Sequence, residues 1–255
     1  MEKIIDGVKI EYNDVGEGEA IFLLHGWGSK KELFEPIVNT VSPKYRAVAF
    51  DLPGFGGSDE PPEVWDVDRF ADICIKFIAS FNENKVILLG HSFGGRVIIK
   101  IASGRRLPFE ISRIILVDSA GIMPKRGLDY KIRVGTYKLG NKLLSTPPMK
   151  KLFPNAVENR RKKKGSADYA AASPIMRGCL TKAVNEDLTP LLEKIPYETL
   201  LIWGTADADT PLSDGETMEK LLPNAGLAKI EGAGHFSWLD NPQTFSAIIR
   251  SYLKI

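Results

Sequence analysis

Five short stretches of uninterrupted apolar residues constrain the fold of this chain more than any other feature: Ile21-Phe22-Leu23-Leu24, Ala47-Val48-Ala49-Phe50, Val86-Ile87-Leu88-Leu89, Ile114-Ile115-Leu116-Val117 and Leu200-Leu201-Ile202-Trp203. Each ends in a turn that contains glycine or aspartate. A half-exposed strand alternates apolar and polar residues, so continuous apolarity marks strands covered on both faces. Helix-period segments lie between them. Phe70, Ile73, Cys74, Phe77, Ile78 and Phe81 share one helical face, as do Phe245, Ile248, Ile249, Tyr252 and Leu253 near the C-terminus. Strand and helix alternating in this way predict βαβ units around a mostly parallel sheet, an α/β fold. Val8-Lys9-Ile10-Glu11-Tyr12 alternates instead and is expected to form an edge hairpin with a strand before it.

The rhythm stops at Ile122 and resumes near Asp187. Between residues 122 and 186 there is no buried-strand run, and five prolines punctuate short helical pieces. Charge changes at the same boundaries. The whole chain has 34 Lys and Arg against 32 Asp and Glu, a net charge of only +2. Residues 122–186 hold fifteen of the basic residues and four of the acidic ones, a net of +11, which leaves the rest at −9. A core of residues 1–121 and 187–255 with a basic helical insertion at 122–186 is the expected organisation.

Composition excludes several classes. With 44% hydrophobic residues and little net charge over 255 positions, the chain can bury a core and is not intrinsically disordered. Its apolar runs are far too short to span a bilayer, and the acidic start Met1-Glu2-Lys3-Ile4-Ile5-Asp6 lacks the apolar stretch of a secretory signal, so a cytoplasmic protein is expected. Cys74 and Cys179 form neither a disulfide framework nor a metal-ligand spacing. Nucleic-acid binding is not expected, because no aromatic residue interleaves the basic run Arg160-Arg161-Lys162-Lys163-Lys164.

Gly90-His91-Ser92-Phe93-Gly94-Gly95 follows one buried run and precedes the apolar stretch Val97 to Ala102. This is G-x-S-x-G between a strand and a helix, the setting of a nucleophile elbow. A serine in so sharp a turn adopts a strained backbone, and the positions two before and two after it, Gly90 and Gly94, must be small. The hydroxyl then stands clear of the sheet, and the amide of Phe93 sits at a helix N-terminus, where it can donate to an oxyanion.

A serine nucleophile needs a base, and the chain has three histidines. His91 adjoins Ser92, and its side chain is expected to point away from the hydroxyl. His25 ends an earlier strand in His25-Gly26-Trp27-Gly28. His235 lies in a glycine-rich turn, Gly232-Ala233-Gly234-His235, after the strand-like Leu227-Ala228-Lys229-Ile230, at the sheet rim where α/β sites form. Elimination and position make His235 the base. The orienting carboxylate is expected to be Asp207, in a turn just past Leu200–Trp203 and before a helix opened by Thr210-Pro211. Asp209 on the same loop and Asp118 after the neighbouring strand are the alternatives.

In the order Ser92, Asp207, His235, the sequence resembles the α/β-hydrolase fold superfamily, specifically its capped, carboxylesterase-like serine hydrolases. His25-Gly26-Trp27-Gly28, Asp51-Leu52-Pro53-Gly54-Phe55-Gly56-Gly57-Ser58, the Ser92 elbow, Gly204-Thr205-Ala206-Asp207 and Gly232-Ala233-Gly234-His235 carry the resemblance over essentially the whole chain. It implies an eight-stranded, mostly parallel sheet flanked by helices, with a helical cap inserted after the sixth strand. It also implies an oxyanion hole from the backbone amides of Trp27 and Phe93, with His25 bracing the oxyanion loop and Asp51–Ser58 packed beside the elbow.

Fold does not fix reaction. Superfamily members that open epoxides or remove halides carry aspartate where this chain has Ser92, which argues against both chemistries. Hydrolysis of a carboxylic ester through an acyl-enzyme is the expected activity. The alternatives are a C–C bond hydrolase of ring-cleavage diketones and, in a different class, a receptor-like member with slow or lost catalysis. The expected partner is a small-molecule ester with an apolar acyl part, whose pocket the insertion's Ile122, Tyr130, Leu143, Met149, Phe153 and Met176 can help to wall. No metal or organic cofactor is implied.

Overall fold

The computed structural model describes residues 1–123, 169 and 171–255. Its strands are β1 (Glu2–Ile5), β2 (Val8–Val15), β3 (Ala20–Leu24), β4 (Arg46–Phe50), β5 (Lys85–His91), β6 (Glu110–Val117), β7 (Thr199–Gly204) and β8 (Ala225–Ile230). They form one eight-stranded sheet in the order β1-β2-β4-β3-β5-β6-β7-β8. The ladder is parallel from β4 through β3 to β8. β1 and β2 pair antiparallel, and β2 also meets β4 antiparallel, so the alternating segment is the expected edge hairpin.

The five apolar runs are all strands of this sheet, and their side chains separate by parity. Phe22, Leu24, Val48, Phe50, Leu88, Leu116 and Leu201 enter one buried layer with α2 (Val67–Ala79), α3 (Phe93–Ala102) and α6 (Leu212–Leu221). Ile21, Leu23, Ala47, Ala49, Ile87, Leu89, Ile115, Val117 and Ile202 enter the other, with α1 (Glu35–Val41), α7 (Ser237–Asp240) and α8 (Pro242–Leu253). A strand with helices on both faces cannot afford a polar residue at either parity, which is why these runs are continuous. The predicted helix through Phe81 ends at Ala79, with Asp66 capping its start by accepting from Arg69 N–H at 3.0 Å. Pro211, expected at the first helical position, is instead the N-cap of α6.

Most of the basic segment lies outside the described residues. The part that is described includes α4 (Pro174–Asn185), followed by α5 (Thr189–Leu192). Met176 is buried in the core, where it fills the space over Gly54, so it packs rather than walls a pocket. The segment leaves and rejoins the core at one place. Leu188 N–H donates to the carbonyl of Gly121 at 3.0 Å, and the buried Arg96 of α3 donates twice to the carbonyl of Glu186, at 2.9 and 3.0 Å. Among the described residues, no helix is long and apolar enough to cross a membrane.

The parallel strands all run toward one edge. His25, Ser92, Asp118, Asp207 and His235 each follow a different strand there, at or just beyond the C-terminal ends of β3, β5, β6, β7 and β8. Ligand sites of open α/β sheets form at that edge.

Candidate active site

Ser92 occupies the junction of β5 and α3 at φ 49° and ψ −110°, a left-handed region that a non-glycine residue enters only when its surroundings force it. Steric crowding explains the flanking glycines. A β-carbon on Gly94 would stand 1.9 Å from the carbonyl oxygen of Leu24, and one on Gly90 would stand 2.8 Å from the backbone of Gly94. Phe93 opens α3, so its N–H is a first-turn amide with no intrahelical acceptor. Trp27 lies just past β3, and its ring meets Phe93 and Phe55 edge-on at 5.1 and 4.9 Å between centroids.

Hydrogen bonding fixes the tautomer of each histidine. Leu52 N–H donates to His25 Nε2 at 3.0 Å, so the proton of His25 is on Nδ1, which donates to the carbonyl of Gly26 at 2.7 Å. His25 thereby ties the Gly26–Trp27 loop to the Asp51–Ser58 loop. That second loop is anchored by Asp51, whose buried carboxylate accepts from Lys31 N–H, Lys31 Nζ and Gly57 N–H at 2.7, 2.9 and 2.8 Å. His91 points away from solvent among His235, Phe236 and Trp238, and its Nε2–H donates to the backbone carbonyl of His235 at 2.8 Å. Burial, reinforced by neighbouring His235, pushes its pKa down to about 3, so it is a neutral strut. Burial also lowers the pKa of His25.

His235 is the exception. Nδ1–H donates to Asp207 Oδ2 at 2.8 Å, which leaves Nε2 as the ring's acceptor nitrogen. Burial opposes the charged ring, but the Asp207 hydrogen bond and charge, with Asp209 and Asp118 behind them, outweigh it and raise the pKa. Asp207 is itself buried. Its other oxygen accepts from the N–H groups of Asp209 and Thr210 at 2.8 and 3.0 Å, and Thr210 Oγ1 donates to Oδ2 at 2.7 Å. Burial raises a carboxyl pKa, yet the bonds from His235 and Thr210 prevail and lower that of Asp207.

Asp207 and His235 therefore meet, and neither Asp209 nor Asp118 takes the place of Asp207. Asp209 uses its backbone N–H to hold Asp207. Asp118 turns its carboxylate to Gly204 N–H at 2.8 Å and to the N–H and hydroxyl of Ser237 at 3.2 and 2.6 Å. Three contributors were not singled out in the sequence: Thr210, Ser237 and, as a strut, His91. Thr210 left a trace, since Asp-x-x-Thr ahead of a proline is a turn in which the aspartate accepts from the N–H three residues on. Asp207, Asp209 and His235 also lie close enough to be considered as cation ligands. The donor set does not suit a cation, because the oxygens of Asp207 already accept four hydrogen bonds.

Residues 21–248 match the sequence profile of the Alpha/beta hydrolase family. The chain belongs to this family.

Relatives within the family differ in their reactions. The chain is 24% identical to a pimeloyl-[acyl-carrier protein] methyl ester esterase of Neisseria meningitidis, over 92% of this chain and 93% of that protein. It is 26% identical to a 2-hydroxy-6-oxononadienedioate/2-hydroxy-6-oxononatrienedioate hydrolase of Pseudomonas putida, over 98% and 95%. Among solved structures, an esterase from Exiguobacterium antarcticum superposes over the full length of both chains with a TM-score of 0.75 and 26% identity.

Proposed function

We propose that this α/β hydrolase cleaves carboxylic esters of small molecules, with Ser92 as nucleophile, His235 as general base and acid, and Asp207 as the carboxylate that orients it. The observation that carries the reading is the 2.8 Å bond from His235 Nδ1–H to a buried, fully bonded Asp207, at the same sheet edge as an elbow serine on a strained turn. Ser92 Oγ attacks the ester carbonyl while His235 Nε2 takes its proton. The tetrahedral oxyanion accepts from the amides of Trp27 and Phe93, each such donor contributing about 3 kcal/mol. As the C–O bond breaks, the alkoxide leaves with the proton from His235. Water, deprotonated by the same nitrogen, then opens the acyl-enzyme and restores Ser92.

Apolar surface beside the base supports an apolar acyl part: the Phe236 ring lies 5.5 Å from the His235 ring and the residue is 37% exposed. The basic insertion at 122–186 is proposed to be the cap that covers this mouth. The likeness to the Pseudomonas putida hydrolase favours a second reading, hydrolysis of a C–C bond in a ring-cleavage diketone.

A fluorophosphonate probe should label Ser92 in the folded protein, and Ser92→Ala should abolish both labelling and hydrolysis without unfolding the chain. p-Nitrophenyl esters of graded acyl length, run beside a vinylogous diketone, decide between the two reactions. No adduct at Ser92 supports a receptor-like member instead, and hydrolysis retained in Ser92→Ala places the nucleophile elsewhere.

A further inference from the structure

Asp118 has no task in the mechanism above, yet its carboxylate accepts three hydrogen bonds at the site edge. It is fully buried at the end of β6 and sits at φ 44°, so it shares with Ser92 the left-handed backbone at a strand end. From there it reaches both loops of the acid–base pair. Oδ1 accepts from Gly204 N–H, three residues before Asp207. Oδ2 accepts from the N–H and hydroxyl of Ser237, two residues after His235. Its own carbonyl lies 3.0 Å from Thr210 Oγ1, the hydroxyl that donates to Asp207 Oδ2 and lies 3.2 Å from His235 Nδ1. No cation pairs with it among the described residues.

We infer that Asp118 is the positioning residue of the His235–Asp207 pair: as a buried anion it clamps the end of β7 and the start of α7 to β6, sets the distance between the orienting carboxylate and the imidazole, and favours the protonated form of His235 that arises during turnover.

Each clause follows from the contacts. A carboxylate is the one side chain that accepts on both oxygens and donates on neither, which matches three donors converging from two loops. Removing a loop anchor lets His235 drift, and a misplacement of about 1 Å in a reacting group costs on the order of 100-fold in rate. The negative charge acts on the imidazolium as well, in the same direction as Asp207 and Asp209, so His235 is more basic with Asp118 ionised. The titratable groups that face Asp118 are Asp207 and His235, with Asp209 acting on His235, Asp214 on Asp207, and the neutral His91 beside His235. Burial pushes the carboxyl of Asp118 up to about 6, so the clamp is charged at neutral pH and discharges under mild acid.

The inference rests on the ester-hydrolase reading only for its kinetic arm. Asp118→Asn presents an amide N–H₂ where an acceptor is needed, and Ser237→Ala removes one donor while leaving the carboxylate. The chain has three histidines, of which two are buried and shifted toward the neutral form, so an imidazole NMR titration isolates His235. In Asp118→Asn the His235 titration should move down by about half a pH unit or more, and the downfield Nδ1 proton shared with Asp207 should broaden or vanish. With the best ester, kcat should fall at least about tenfold while KM stays within about twofold. Ser237→Ala should show smaller changes in the same directions, and it carries the test if Asp118→Asn does not fold. Folded variants with the wild-type titration and Nδ1 signal overturn the inference, whether or not their rates have changed. Failure of wild-type protein to turn over any ester counts against the proposed reaction and leaves the NMR arm to judge Asp118 alone.

Discussion

Gly26 separates the oxyanion loop from the elbow by less than the width of a methyl group. A β-carbon built on it would stand 2.7 Å from His91 Nδ1, 3.0 Å from His91 Cε1 and 3.2 Å from Ser92 Cβ, whereas ordinary contact begins at 3.4 Å. The shortfall at Nδ1 is 3.4 − 2.7, about 0.7 Å. Gly26 is not among the positive-φ glycines, so Gly26→Ala perturbs sterics and not backbone conformation. The His91 ring cannot retreat alone. Trp238, Phe236 and His235 lie around it at 4.6, 5.1 and 4.8 Å, and its Nε2–H holds the His235 carbonyl. The displacement therefore passes to His235, or the Gly26–Trp27 loop swings away from the elbow. Overpacking of this size costs about 1–3 kcal/mol, which for a chain of this length lowers Tm by about 2–10 °C. The rate should suffer more, by about 10- to 100-fold in kcat/KM, because acid–base and oxyanion groups are displaced together. Fluorophosphonate labelling, ester kinetics and thermal unfolding read the three effects. Gly226→Ala, at a β8 position with open space around the new carbon, is the control and should leave all three unchanged. Wild-type kcat/KM and Tm in Gly26→Ala would refute the steric reasoning.

Three other outcomes are expected. Thr210→Val keeps the shape but removes the hydroxyl bonded to Asp207, and should lower kcat about tenfold, the value of one hydrogen bond to a charged group, as measured by steady-state kinetics. In a pH profile, activity should be lost as pH falls, because His235 must be neutral to accept the Ser92 proton. Since its pKa is raised, the midpoint of that acid limb in kcat/KM should lie above 6.5, and a midpoint below 6.5 counts against His235 as the base. If the +11 of residues 122–186 steers substrates, kcat/KM for an anionic ester should fall with ionic strength while that for a neutral ester of equal length stays flat; identical salt profiles remove the idea.

The sheet was legible in the sequence because its strands are covered on both faces. Ile21 to Leu24 supply alternate residues to two buried layers, and any sequence meeting that demand is apolar throughout. The elbow was legible for a related reason: Gly90 and Gly94 are fixed by contacts with backbone and an adjacent side chain that no substitution relieves. The supporting shell was not. Thr210 bonds locally to Asp207, but Thr210 and Ser237 are ordinary hydroxyl residues whose other contacts lie 92 and 119 residues away on Asp118. No local pattern encodes a contact across that separation, because the sheet order brings the segments together. His91 shows the same limit. Its neighbour Ser92 made it conspicuous and set it aside as a candidate base, but its bond to the His235 carbonyl spans 144 residues.

Among the described residues, Ser92 and Asp118 are the non-glycine residues held in left-handed conformations at the C-terminal ends of the parallel strands. The other three, Asp6, Asn82 and Lys254, lie in turns or at a helix end, where that conformation closes a tight reversal. Strain at Ser92 and Asp118 costs about 1–3 kcal/mol each and closes no such reversal. Asp118 adds a second cost. Its native carboxyl keeps its proton up to about pH 6, while the unfolded group releases it near 3.8. The stability this group contributes is thus full below pH 3.8 and lost as pH rises through about 6. Two units amount to roughly 3 kcal/mol, so the ionised form present at neutral pH is the one the fold supports least well. Its energy is held down by three convergent donors from the loops that carry Asp207 and His235. Where the backbone is strained and a buried charge is unneutralised at the same strand edge, the arrangement opposes stability and serves the acid–base pair, which is why Asp118 belongs with Ser92, Asp207 and His235 and not with the ordinary turns of the sheet.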